Sequence, residues 1–197
     1  MQRLGWFSAL VFVVGCGGGD TPNNPDGPVT DGPAPDTQSP DGPASAFAIT
    51  SPLYVDGAAI PSAITCDGAN TSPQLEWVNA PAGTLSFAIV FTDTTNSLIH
   101  SVIYDIPGNL SGLPADVEKV FAPSDVPGAR QTRAFSNNFG YAGPCPGQTH
   151  TYEFRIYALG VATLPDATMQ TSRAQAKTAI EANDLADTAL TATYTPQ

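Results

Sequence analysis

The chain has 197 residues, with 18 Asp and Glu against 7 Lys and Arg, a formal net charge of −11 and 2 histidines. No basic cluster is present that could track a phosphate backbone, which argues against a nucleic-acid partner. Apolar and aromatic residues concentrate after residue 46, enough for one folded domain of roughly 150 residues with its own core.

The first segment, "MQRLGWFSALVFVVGC", has Arg3 as a positive region, an apolar run from Leu4 to Val14, and Gly15 before Cys16. A membrane span needs about 20 apolar residues, so residues 1–15 read as an export leader. Val13-Val14-Gly15-Cys16 resembles a bacterial lipobox. That resemblance implies that Cys16 is lipidated and becomes the mature N-terminus, anchoring the protein in a membrane of the bacterial cell envelope. The alternative is an ordinary secretory signal with a spare thiol. Gly17 in place of an aspartate favours delivery to the outer membrane. Several acyl chains on one cysteine give a durable attachment.

Residues 17–45 are Gly, Pro, Asp, Ser and Thr with almost no apolar side chains. Such a stretch cannot bury enough surface to offset the ordering of its backbone. With Cys16 it reads as a disordered tether, residues 16–45, whose prolines favour an extended geometry that reaches up to roughly 80 Å. The chain has 3 cysteines, an odd count. If Cys16 carries lipid, Cys66 and Cys145 remain to form a disulfide, favoured by export and worth on the order of 4 kcal/mol in denatured-state entropy. Two buried free thiols are the alternative.

Residues 46–197 form the folded domain. The runs "FAITSPLYV", "LEWV", "SFAIVFTD", "HSVIYDIP", "TYEFRIYAL" and "TALTATYT" are short, rich in β-branched and aromatic residues, and bounded by Pro, Gly, Asn or Asp. Alternation puts Tyr152, Phe154, Ile156 and Ala158 on one face and Glu153, Arg155 and Tyr157 on the other. One helix is predicted from Ser172, where Ser172 and Gln175 have capping-box spacing and Ala176, Ala179 and Ile180 form an apolar stripe. A mainly β protein follows, an antiparallel sandwich or small barrel-like sheet with one late helix.

Four landmarks in order then resemble the phosphatidylethanolamine-binding protein family, in its bacterial Raf-kinase-inhibitor-like branch: "AITCDGANTSPQLEWVNAPAGTLSFAIVFTD", "HSVIYDIPG", "NNFGYAGPCPGQTHTYEFRIYAL", and the terminal helix followed by "LTATYT". The resemblance implies that family's antiparallel β-sandwich and a small pocket near one end for phosphate-like groups, including phospholipid head groups. Carried onto this chain, the pocket lining is Asp93, His100, Gly143, Pro144, His150 and Tyr152. Three positions depart from the pattern: "DTTNS" replaces Asp-Pro-Asp-Ala-Pro, Ser101 replaces the tryptophan after the first histidine, and Thr151 replaces the arginine of His-Arg-Tyr.

The residues support the same chemistry on their own. Histidine changes charge near neutral pH and donates from either ring nitrogen. His150 shares a strand face with Tyr152. The Gly143-Pro144 turn is expected to bring main chain, and an N–H, close to a ligand, and Asp93 to orient an imidazole. Against these stand plainer readings: satisfied strand-edge histidines, an Asp93 that closes its own turn, and a Tyr152 that packs in the core with its hydroxyl bonded to a neighbour. Trp77 reads as core. No catalytic residue, cofactor or metal is assigned. His100 and Ser101 are consecutive in a strand and should face apart, and no Gly-x-Ser-x-Gly elbow is present; Asp93, His100 and His150 as a zinc set have no supporting local motif. The leading expectation is a membrane-tethered module that binds a small anion. The alternatives are a protein-interaction or inhibitor module with a vestigial pocket and, further behind, a weak hydrolase.

Overall fold

The computed structural model describes residues 45–196. The leader, Cys16 and most of the tether lie outside them. Within them the strands are β1 Ala48–Thr50, β2 Leu75–Val78, β3 Ser86–Asp93, β4 Leu98–Pro107, β5 Gly112–Leu113, β6 Arg130–Gln131, β7 His150–Leu159 and β8 Asp184–Tyr194, with helix α1 at Arg173–Glu181. They form a three-stranded sheet, β1-β2-β5, and a five-stranded sheet, β6-β4-β3-β7-β8. Every strand pair is antiparallel.

The alternation read from the sequence is what fills the space between the sheets. Leu75 and Trp77 of β2 face Phe87, Ile89 and Phe91 of β3 and Tyr152, Phe154 and Ile156 of β7, all buried in one cluster. Burying a large side chain of this kind contributes about 1.5–3 kcal/mol. Trp77 is core as expected, its indole N–H donating to the Leu110 carbonyl at 3.0 Å. The opposite face of the large sheet carries Ala88, Val90, Val102, Tyr104, Tyr157 and Leu159, which pack under Ala176 and Ile180 of α1. The helix begins where its capping box predicts: the Ser172 hydroxyl accepts from the Gln175 amide, and the Gln175 side chain reaches back to Ser172.

Two details differ from the sequence reading. "FAITSPLYV" contributes only three paired residues, and the run ending in "TALTATYT" begins pairing earlier, at Asp184. The two-residue strands β5 and β6 are too short to show a period at all. None of the helices in the described region is long and apolar enough to cross a membrane.

Candidate functional site

At one end of the sandwich β3 stops at Asp93, and a four-residue turn, residues 94–97, leads into β4. Together with Asp93 the turn is the segment "DTTNS". Its Thr95 N–H donates to Asp93 Oδ1 at 3.0 Å, and the Thr95 hydroxyl accepts from the Thr151 N–H at 2.9 Å, tying the turn to β7. The departure from the prolines of the family pattern thus gives a compact hairpin whose first residue presents a carboxylate inward.

His150 opens β7 and lies beside that carboxylate. Its Nδ1 is 2.6 Å from Asp93 Oδ2; Asp93 is buried, and the imidazole side chain is 13% exposed. His100 reaches the same place by a different route. β3 and β4 pair as Phe91 with Ser101 and Thr92 with Ile99, so His100 is an extra residue in a β-bulge. The bulge re-aims its ring toward Phe91 (centroids 5.2 Å apart) and edge-on to Tyr152 (5.5 Å, 87°). It also corrects the expectation that His100 and Ser101 face apart. Ser101 pairs with Phe91 and, with it, Leu75 and Ile89, lines a cavity of about 40 Å³ in the core.

The structure therefore brings Asp93, His100, His150 and Tyr152 together. Tyr152 is buried against both imidazoles, 5.5 Å from the His100 ring and 6.3 Å from the His150 ring. Burial first, and then the Asp93 carboxylate, push its phenol well above the ordinary range, so it stays protonated. His100 is 3% exposed, and its Nδ1 lies 3.0 Å from the Ala142 carbonyl. Burial lowers its pKa; the Ala142 carbonyl and Asp93 partly oppose this, and Arg173 adds to it.

Carbonyl and carboxylate oxygens only accept, so each ring is held with the proton on Nδ1. Among the described residues neither Nε2 has a protein partner in the hydrogen-bond network. The arrangement leaves two imidazole nitrogens of fixed orientation for something else. It can receive an anion when the rings are protonated, or a protonated oxyacid when they are neutral. Among the described residues no group of three or more His, Cys, Asp or Glu side chains is placed to hold a metal ion.

Gly143 and Pro144 play another part than the one expected. The Gly143 N–H donates to Asn70 Oδ1 at 2.8 Å, so it is not free for a ligand, and a Cβ on Gly143 would lie 2.2 Å from the Ile64 carbonyl oxygen. The Pro144 carbonyl accepts from the Cys66 N–H at 3.0 Å, and the Tyr141 hydroxyl donates to the Ile64 carbonyl at 2.7 Å. Cys66 and Cys145 form a disulfide with Cα atoms 5.3 Å apart. The turn is a seam between two loops that fixes the Ala142 carbonyl, and hence His100. Sequence reading missed Phe135, whose ring lies 4.5 Å from that of His100 and is itself 40% exposed. Nothing in a lone aromatic within a polar loop signals this cover.

The sequence profile of the family described as "Phosphatidylethanolamine-binding protein" matches residues 50–195. The chain belongs to the phosphatidylethanolamine-binding protein family. A Mycobacterium tuberculosis protein named as a lipoprotein, LppC, is 36% identical over 178 residues, covering 85% of this chain and 83% of LppC. Escherichia coli YbcL is 32% identical over 166 residues, covering 77% of this chain and 88% of its own. The crystal structure of YbcL, described as a new member of the mammalian family, superposes with a TM-score of 0.71 over 78% of this chain and all of YbcL, at 29% identity. Family membership and the β-sandwich with one late helix thus agree with the expectation from the four landmarks.

Proposed function

We propose that this protein is a binding module, not an enzyme, that receives a small anion such as phosphate or a phospholipid head group between His100 and His150. It is held at the cell envelope by lipid on Cys16. The observation that carries the anion reading is the anchoring of both imidazoles through Nδ1, to Ala142 and Asp93, with no hydrogen-bond partner for either Nε2 among the described residues. On protonation each Nε2–H becomes a charge-assisted donor to an oxyanion, and the buried Tyr152 phenol beside Asp93 stays neutral. The tether is supported by the leader and by the likeness to LppC, a lipoprotein by name.

Calorimetric titration with inorganic phosphate and phosphoethanolamine tests the reading. Affinity should rise as pH falls from about 8 to about 5.5 through the imidazole range, and His150→Ala and Asp93→Asn should each weaken it about tenfold or more, the value of one charge-assisted hydrogen bond. Affinity that is flat across that range, or indifferent to both substitutions, overturns it. The closure of His100 by Phe135 favours a second reading, a protein-interaction module with a vestigial pocket. In that case crosslinking in intact cells recovers the same partner protein after both histidines are replaced.

A further inference from the structure

Phe135, which packs on His100, also lines an open groove of about 720 Å³. Ile99 and Met169 give it an apolar rim, and Arg133 and Arg173 line it. In a chain with 18 acidic and 7 basic side chains, two guanidinium groups in one cavity call for carboxylate partners. Among the described residues neither has one; the ion pairs formed by Arg and Lys involve Arg155 and Lys177. Main-chain carbonyls hold both arginines instead. Arg133 donates to the Asn137 carbonyl at 2.9 Å and lies 4.3 Å from the centre of the Phe139 ring. Arg173 donates to the Arg133 carbonyl at 3.3 Å.

A guanidinium carries five N–H donors, and each of these forks uses one within the protein. They are oriented and still mostly unspent. Of the first amides of α1, that of Gln175 is taken by the Ser172 hydroxyl, and the full positive charges in the groove are those of the two arginines. Arg173 is near enough to His100 for its charge to bear on the imidazole, and Phe135 touches both spaces. The groove and the histidine pair are therefore neighbours, with Phe135 between them in common.

Resting on the anion reading above, we infer that the groove is a second subsite, in which Arg133 and Arg173 take a second anionic group of the same ligand. The preferred ligand class is a phosphate monoester that also bears a carboxylate, with its phosphate at His100 and His150 and its carboxylate beyond the edge of Phe135. The protein's net charge of −11 repels the more anionic of two ligands at long range. A preference for it therefore requires a local positive site.

The test compares inorganic phosphate, phosphoethanolamine and O-phosphoserine by calorimetry on the full-length protein, on Arg133→Gln and Arg173→Gln, and on Arg173→Lys. O-phosphoserine should bind the wild type about tenfold more tightly than phosphoethanolamine, as one charge-assisted pair implies. Arg133→Gln should shrink that preference to about twofold with inorganic phosphate unchanged; Arg173→Gln should shrink it likewise once each affinity is divided by that for inorganic phosphate, since the Arg173 charge also bears on His100; and Arg173→Lys, which keeps the charge but loses the planar fork, should fall between. Equal binding of the two monoesters by a wild type that still binds phosphate overturns the second subsite alone, as does a preference that survives both Arg→Gln changes. Failure of all three ligands to bind overturns the anion reading, and the subsite with it.

Discussion

At the Phe87 end of β3, the space between the sheets is filled by rings: Trp77 packs on Phe87 with centroids 5.1 Å apart, and Phe47 stacks on the other side. Six residues further along the same face, at Asp93, that space holds a carboxylate and two imidazoles. The first end needs only apolar area and one satisfied indole N–H. At the second, burying polar groups is costly unless each finds a partner. Asp93 uses both oxygens, each histidine is anchored through Nδ1, and the loop behind them is held by a disulfide and three hydrogen bonds from Cys66, Tyr141 and Gly143. The contrast separates the part of the fold built for cohesion from the part in which buried polar groups are held in fixed orientation.

The strongest way to break this contrast is Trp77→Ala. It should lower unfolding free energy in urea by about 3–5 kcal/mol, as for other buried aromatic truncations, and leave phosphate affinity within about twofold as long as the protein is folded. A coupled loss of binding would show that the two ends are not independent. Next in size, Cys145→Ser should lower stability by about 2–4 kcal/mol and also weaken phosphate binding, because the seam positions the Ala142 carbonyl against His100. Identical melting of oxidised and reduced wild type would remove the brace from this account.

The smallest effect is in the pH dependence of stability. Burial lowers the pKa of His100 in the folded protein. Below about pH 6.5, the ordinary histidine value, the unfolded chain therefore binds more protons at this position than the folded one. Stability of the ligand-free protein should then rise with pH through that window and fall as the solution is acidified. His100→Phe should flatten the slope in thermal melts between about pH 5 and about pH 6.5. Phosphate should stabilise the wild type more at the acidic end, since it binds the protonated ring. A slope unchanged by His100→Phe would assign it to other groups.

Much of this is legible in the sequence. Alternation in 152–158 placed Tyr152 and Phe154 inward, the Ser172–Gln175 spacing located the helix start, and the cysteine count with export favoured a Cys66–Cys145 disulfide over two free thiols. His150 and Tyr152 were put on one face by a strand period that holds there, and Asp93 was set beside them by family resemblance. His100 was placed beside them by family resemblance, but its aim was not readable, because period-two reasoning assumes that no extra residue interrupts the ladder, and here one does.

By itself, the sequence determined the acidic character, the mainly β class, the single late helix and the residue types gathered at one end, since these depend on composition and short-range period. Only the tertiary structure decided that the Gly143 N–H belongs to Asn70, 73 positions away, that Phe135 covers His100, and that Arg133 and Arg173 share a groove. Those are contacts between loops of no regular period, and they are set by how the packed sheets bring distant segments together, which no local pattern encodes.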